Sequence, residues 1–197
     1  MSKINVKPCA TSDNIQCWER IDFHKAECHV KKLQKRIARA WQNGDIDKVV
    51  YLQHTIIHSF YSKALAVKIV TSNRGKYTCG TDNVLWITPE EKYTAISTLK
   101  RRGYKPKAFR TAYIPKPDKA WRKLSIPTIK DRAMQTLYKF ALEPISELWA
   151  DENSYGFRPN LCTRDALIKC YKVLYSLPYP EWILEADIKS CFDNISR

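Results

Sequence analysis

Apolar residues recur at steps of three and four through the first third of the chain, and this spacing predicts two amphipathic helices. The first stripe consists of Val30, Leu33, Ile37 and Trp41. The second stripe consists of Val49, Leu52, Ile56, Phe60, Ala64 and Val67. We expect the first helix to end near Asn43-Gly44, and the second to run without interruption over residues 45–70.

The middle of the chain predicts one more helix and then a hairpin. In Thr88-Pro89-Glu90-Glu91, Thr88 can cap a helix, Pro89 suits the first turn and Glu91 can complete a capping box. We expect this helix to run to Arg102 and to end at Gly103. Two short strands, over residues 110–115 and 121–126, should follow and pair through the turn between them.

The last third of the chain predicts two helices and a terminal strand. A helix beginning at Ile129 should stop or kink at Pro144, because proline removes a backbone donor. Thr163 can cap a helix of about twelve residues. The apolar run from Trp182 to Ile188 predicts a strand that is buried on both faces.

This terminal run carries one acidic residue that needs compensation, Asp187. An ionised carboxylate in an apolar environment is costly unless a metal ion or a cation balances it. The pattern therefore predicts a cation partner for Asp187.

The charge of the chain favours a polyanionic partner. Lys and Arg number 34 against 20 Asp and Glu, and residues 92–130 hold twelve basic residues against the single acid Asp118. The aromatic residues in this window are Tyr93, Tyr104, Phe109, Tyr113 and Trp121. Any one of them also fits a core position beneath a solvated basic face. Taken together, the window favours a surface that binds phosphates and stacks on bases.

Other features limit the compartment and exclude a membrane partner. No segment has transmembrane length, and no basic amphipathic helix has the aromatic and leucine face that membrane surfaces bind. The N-terminus resembles no secretory signal, and the seven cysteines contain no Cys-x-x-Cys pair. We expect a cytoplasmic protein with reduced thiols.

Several blocks, in order, resemble the reverse transcriptases encoded within group II introns, the intron maturases. The blocks are Lys63-Ala64-Leu65-Ala66-Val67-Lys68, Thr71-Ser72-Asn73, Gly80-Thr81-Asp82, Trp86, Tyr113-Ile114-Pro115-Lys116, Arg122, Ile126-Pro127-Thr128-Ile129-Lys130-Asp131-Arg132-Ala133-Met134-Gln135, Asn153-Ser154-Tyr155-Gly156-Phe157-Arg158-Pro159, and Ala186-Asp187-Ile188-Lys189-Ser190-Cys191-Phe192-Asp193-Asn194-Ile195. One block alone is a weak signal, whereas several in the family's order are specific.

The resemblance implies an α+β fold, the fingers of a right-hand polymerase with the first strand of an incomplete palm, preceded by a helical N-terminal extension. Residues 1–17 would be a flexible N-terminus and residues 18–102 the extension. Residues 103–180 would form the fingers, and residues 181–197 the start of the palm.

The same resemblance implies site residues for an incoming nucleotide. Arg110, Lys116 and Arg122 would contact the triphosphate, although three solvated cations on a hairpin would have the same sequence. Asp187 and the backbone carbonyl of Ile188 would bind Mg²⁺, which prefers oxygen ligands. Phe192 would contact the sugar and exclude a 2′-hydroxyl, or it would be an ordinary core residue.

RNA contacts are expected at two further places. Lys31, Lys35 and Arg39 would bind structured intron RNA through the first helix. Arg158 would lie in a turn that holds the RNA template and the DNA primer, with Gly156 permitting an unusual backbone shape. In that turn, Tyr155 and Phe157 fit core positions equally well.

The resemblance implies an RNA-directed DNA polymerase, whose two-metal chemistry needs more carboxylates than Asp187. In the family these arrive on a later hairpin that carries paired aspartates, and this sequence does not contain it. We therefore expect an N-terminal fragment that is inactive alone. The alternative is a non-catalytic module that binds intron RNA for splicing, and a homodimer is left open.

Overall fold

A computed structural model describes residues 17–115, 117, 121–175 and 182–188 of the chain. The main elements of the described residues are α1 (Phe23–Gln42), α2 (Ile46–His58), α3 (Phe60–Ser72), α4 (Pro89–Thr98), β1 (Arg110–Pro115), β2 (Trp121–Ile126), α5 (Ile129–Trp149) and α6 (Thr163–Tyr175). They belong to two compact units, Met1–Leu148 and Trp149–Arg197. The expected flexible N-terminus lies outside the described residues, except for residue 17.

Helix α1 forms as its periodicity predicts. The Asp22 side chain accepts a hydrogen bond from the backbone N–H of Lys25 at 2.9 Å and so caps the first turn. The buried stripe consists of Ala26, Val30, Leu33, Ile37 and Ala40. Gly44 follows the helix with φ +70°, a conformation in which glycine avoids the steric cost of a Cβ.

The prediction of one long helix over residues 45–70 is wrong, because Ser59 separates α2 from α3. Its backbone is extended, with φ −62° and ψ 133°. Its hydroxyl lies 3.1 Å from Nε2 of His29 on α1. Phe60, expected in the apolar stripe, is 45% exposed. The break therefore coincides with a tertiary contact, which the spacing of apolar residues along one segment does not report.

Helix α4 begins as predicted and ends earlier. The Thr88 hydroxyl accepts from the Glu91 N–H, and the Glu91 carboxylate accepts from the Thr88 N–H, which completes the capping box. The helix ends at Thr98 and not at Arg102. Leu99 is only 1% exposed and has a non-helical backbone. Burial of this side chain therefore accompanies the early end of the helix.

A stop or a kink was predicted at Pro144, and the stop is wrong, because helix α5 continues to Trp149. Pro144 has no N–H to donate to the carbonyl of Phe140, four residues earlier. The Gln34 side chain donates to this carbonyl at 3.1 Å instead, and Gln53 donates to the carbonyl of Ala141 at 3.1 Å. Two glutamines from α1 and α2 thus satisfy backbone acceptors near the proline, and the helix persists.

The hydrophobic core lies in the first unit, among α1 to α5. Its largest fully buried apolar side chains are Ile37, Leu52, Ile56, Leu99, Ile129, Met134, Leu137 and Val67. Each such side chain contributes roughly 1.5–3 kcal/mol to folding. This core holds together the helices that carry the basic side chains and that precede and follow the hairpin in the chain.

The hairpin has the predicted boundaries. Strand β1 pairs antiparallel with β2, with Arg110 opposite Ile126 and Pro115 opposite Trp121. In the second unit, α6 begins at Thr163, close to the predicted start, but none of its residues is buried.

The prediction of a buried terminal strand is wrong for the residues that the structure describes. Residues 182–188 have no regular secondary structure, and Trp182 and Leu184 are 89% and 91% exposed. A strand needs a neighbouring strand for its backbone hydrogen bonds. The described part of the chain contains only the β1–β2 sheet, so apolar composition alone does not produce this strand.

A loop over residues 73–83, here called the docked loop, lies against the start of α5. Arg132 donates from Nη1 to the carbonyl of Gly75 at 2.8 Å, and from Nη2 to the carbonyl of Thr78. Gly80 packs so closely that an added Cβ would lie 2.6 Å from Cα of Thr128. Backbone therefore meets backbone at this point, and only glycine fits without movement.

We predict that Gly80→Ala destabilises the first unit by about 1–3 kcal/mol, because the new methyl group overlaps the Thr128 backbone. The measurement is urea-induced unfolding. Gly75→Ala is the matched control from the same loop, since its Cβ would meet Nη1 of Arg132 at an ordinary 3.5 Å. Equal stability of the two variants would contradict the close approach.

Candidate nucleic-acid interface

The register of the hairpin places two arginines on the same face. Side chains alternate along a strand, and directly opposed residues share a face. Arg110 shares its face with Ile114, and Ile114 lies opposite Arg122. Both arginines are exposed. The third expected cation, Lys116, lies outside the described residues.

The other face of the hairpin presents aromatic rings to solvent. Tyr113 and Trp121 are 61% and 68% exposed, and Lys123 lies directly opposite Tyr113. Rings beside a cation suit stacking on bases and contact with phosphates. The expectation that basic and aromatic residues share one surface holds for these side chains.

Arg110 is connected to the docked loop. Its Nη1 lies 3.1 Å from Sγ of Cys79, and this thiol also contacts Oδ1 of Asn83 at 3.6 Å. A guanidinium has five N–H donors, and this contact uses one nitrogen. The loop therefore orients Arg110 while leaving other donors on the guanidinium.

A buried carboxylate fixes the segment that leads into β1. Asp131 accepts from the Tyr104 hydroxyl at 2.5 Å, from the Thr128 hydroxyl at 2.7 Å and from the Lys107 N–H at 3.3 Å. Burial raises the pKa of Asp131, but these hydrogen bonds outweigh burial and hold the pKa below its usual value. Burial, together with the bond to Asp131, raises the pKa of Tyr104. Asp131 therefore stays ionised at neutral pH.

Sequence reasoning missed the roles of Asp131, Arg132 and Tyr104. Asp131 and Arg132 belong to a block that carries the resemblance. That block marked them as family residues but did not indicate what they contact. Apart from Thr128, three residues before Asp131, the partners named above lie 24 to 57 residues away in sequence. Only the folded chain brings them together.

The expected RNA-binding cations of α1 lie together on its exposed surface. One surface cavity of about 500 Å³ is lined by Cys28, Lys31, Lys32, Lys35, Arg36 and Arg39. Among the described residues, none of these five cations has an ion-pair partner within 4.0 Å. The structure therefore adds Lys32 and Arg36 to the three expected residues, and the five charges form what we call the α1 basic face.

Arg158 closes a turn within the second unit. Its Nη1 donates to the carbonyls of Asp151 and Ser154 at 2.8 and 2.9 Å. The unusual backbone shape belongs to Phe157, with φ +60°, and not to Gly156 as expected. The Phe157 ring is fully exposed. A strained backbone that presents an aromatic ring to solvent is typical of a binding loop.

Asp187 is exposed and lies in the second unit. The described residues contain no group of three His, Cys, Asp or Glu side chains able to hold a metal ion. Mg²⁺ often uses only one or two carboxylates, with waters and substrate phosphates completing its octahedron. Asp187 and the Ile188 carbonyl are oxygen ligands of the kind that Mg²⁺ takes, but they supply only two of its six ligands. Phe192 lies outside the described residues.

No helix in the described ranges is long and apolar enough to cross a bilayer.

Comparison with protein families identifies two matching segments. Residues 18–99 match the N-terminal domain of reverse transcriptase, and residues 114–197 match reverse transcriptase (RNA-dependent DNA polymerase). The chain is 36% identical over 136 residues to group II intron-encoded protein LtrA of Lactococcus lactis, covering 68% of this chain and 22% of LtrA. It is 31% identical over 173 residues to protein YkfC of Escherichia coli, covering 84% of this chain and 45% of YkfC.

A third relative is the COX1/OXI3 intron 1 protein of Saccharomyces cerevisiae, described as putative, which is 32% identical over 94 residues, 48% of this chain and 11% of the relative. The chain thus spans less than half the length of these relatives. Two reverse transcriptase segments, in order, together with intron-encoded relatives, agree with the blocks found in the sequence. The chain therefore belongs to the reverse transcriptase family, among the group II intron-encoded reverse transcriptases and maturases.

Proposed function

We propose that this chain supplies nucleotide and RNA contacts to an RNA-directed DNA polymerase of the group II intron type. The observation that carries the proposal is the shared face of Arg110 and Arg122 on the hairpin. A triphosphate bears about four negative charges, and arginine binds phosphate oxygens bidentately. Lys116, the next residue in sequence after β1, would add a third charge.

The remaining parts of the proposal are the division of the chain, the metal ligands and the sugar contact. Residues 18–102 would be the N-terminal extension, 103–180 the fingers and 181–197 the start of the palm. Asp187 and the Ile188 carbonyl would hold Mg²⁺, which would neutralise charge on the substrate phosphates. Phe192 would contact the sugar of the incoming deoxynucleotide.

A second candidate function is RNA binding for splicing, without catalysis by this chain. The α1 basic face supports it, because five cations without ion-pair partners among the described residues suit a phosphate backbone. Within the second unit, exposed Phe157 beside Arg158 would stack on an RNA base by itself. Both functions can reside in one protein.

We predict that Arg122→Gln weakens dATP binding by the 197-residue chain about tenfold or more, because a charge-assisted hydrogen bond contributes roughly 1.5–3 kcal/mol. Equilibrium dialysis with labelled dATP measures it. Arg164→Gln, which removes the same charge from an exposed position outside the hairpin, is the matched control and should bind normally. Equal losses in both variants would reduce the effect to overall charge.

We predict that reversing Lys31, Lys35 and Arg39 to Glu weakens binding of group II intron RNA and lowers its salt dependence. Each lost phosphate contact removes about 0.7–0.9 from the slope of log affinity against log salt. Filter binding at several salt concentrations measures both. The control reverses three exposed lysines elsewhere, Lys48, Lys139 and Lys169, and should lose less affinity. If both triple variants behave alike, the α1 basic face has no special role.

We predict no primer extension by the 197 residues alone, because two-metal phosphoryl transfer needs further carboxylates beside Asp187. The assay supplies an annealed RNA template and DNA primer with dNTPs and Mg²⁺. Incorporation of nucleotides would contradict this prediction. If incorporation persisted in Asp187→Ala, Asp187 would also not be part of the proposed site.

A further inference from the structure

A cavity in the first unit lies apart from the hairpin residues and the α1 basic face used above. Its volume is about 230 Å³, and it is lined by His58, Phe60, Lys63, Tyr93, Ile96 and Ser97. These residues come from the end of α2, the start of α3 and the length of α4. None of the lining residues is acidic. A cavity with cationic and aromatic walls and no carboxylate is suited to an anionic ligand that carries a ring.

Lys63 is the lysine that lines this cavity. Its side chain is half-buried, and it has no ion-pair partner within 4.0 Å among the described residues. Burial, followed by the nearby positive charge of Lys100, lowers the pKa of Lys63. A bound phosphate would compensate the charge of Lys63 in this partly desolvated place.

The start of α3 offers amide donors beside the C-terminal end of α2, whose dipole has the opposite sign. The Ser59 hydroxyl contacts His29 and makes no capping hydrogen bond to α3. The first-turn amides of α3, next to Phe60 and Lys63, therefore have no side-chain cap. A helix N-terminus carries a partial positive charge that favours anions.

Two aromatic residues connect this cavity to a second one. Phe60 and Tyr93 also line a cavity of about 420 Å³, whose other lining residues are Cys17, Arg20, Ile21, Asp22, Lys25 and Tyr61. Lys25 lies over the Tyr61 ring, with Nζ 5.9 Å from the ring centroid. The one acidic residue that lines this second cavity, Asp22, accepts a hydrogen bond from the Lys25 N–H as the cap of α1. Cations and rings thus continue from one cavity into the next.

We propose that these two cavities form a binding groove for single-stranded RNA, with a phosphate at Lys63 and a base or ribose against Phe60 and Tyr93. The inference rests on the proposed function and deepens it by assigning a further RNA contact. Single-stranded nucleic acids bind where a positive groove carries rings on which successive bases stack. The smaller cavity is below the roughly 300–1,000 Å³ of pockets for drug-sized ligands, which suits one phosphodiester unit of a strand.

The first test removes the charge of Lys63. The variant Lys63→Gln should weaken binding of a labelled uridine oligoribonucleotide about tenfold and lower the salt slope by about 0.7 for one lost phosphate contact. The control is Lys169→Gln, which removes one exposed lysine charge outside the groove. Lys63→Gln should keep or raise the melting temperature, because it removes a partly desolvated charge.

The second test examines the rings. Phe60→Leu should weaken binding of the same oligonucleotide about fivefold or more, in line with the cost of losing one base–aromatic contact, without changing the salt slope. Photocrosslinking with a 4-thiouridine oligonucleotide gives a readout that does not depend on a variant. Crosslinked peptides should include Phe60 or Tyr93. Crosslinks confined to other parts of the chain would overturn the groove.

The outcomes separate this inference from the proposed function. If the unaltered chain binds RNA with a steep salt slope while Lys63→Gln matches its control, the groove is refuted and the proposed function stands. If the unaltered chain shows no salt-dependent RNA binding, both are refuted. If inorganic phosphate perturbs the Lys63 NMR signal but the oligonucleotide does not, the cavity binds a small anion and the RNA assignment is wrong.

Discussion

The structure of the first unit depends on the junction between the docked loop and the start of α5. Asp131, ionised and only 3% exposed, is stabilised there by three hydrogen bonds from Tyr104, Thr128 and the Lys107 N–H. A buried carboxylate without such donors would be strongly unfavourable, so its partners cannot move away at little cost. Because Gly80 lies close to the backbone of Thr128, the docked loop cannot move nearer to the start of α5.

This junction determines what the hairpin can present. The segment that leads into β1 is tied to Asp131 through Tyr104 and Lys107, while Arg110 contacts Cys79 of the docked loop. The hairpin's half-buried side chains all lie on the arginine face, and Tyr113 and Trp121 face solvent on the other side. A rigid base of this kind reduces the entropy that the cationic residues would lose on binding a nucleotide.

Sequence reasoning was accurate where the signal is local, as at Thr88-Pro89-Glu90-Glu91, the α1 stripe and the two strands of the hairpin. It failed where distant contacts compete. Gln34 supports α5 through Pro144 from more than a hundred residues away, and the burial of Leu99 accompanies the early end of α4. The candidate site divides in the same way, because the cations of α1 share a helix face, whereas Lys63 and Tyr93 line one cavity from separate helices.

The sequence by itself determined the family, the excess of positive charge and the position of each local element, because caps, periodicity and ordered motifs act over a few residues. Only the tertiary structure decided the break at Ser59, the hydrogen bonds of Asp131 and the cavity around Lys63. It also decided that residues 182–188 form no strand. Each of these depends on groups that are distant in sequence, and the free energy of burying or pairing them exists only once the chain has folded.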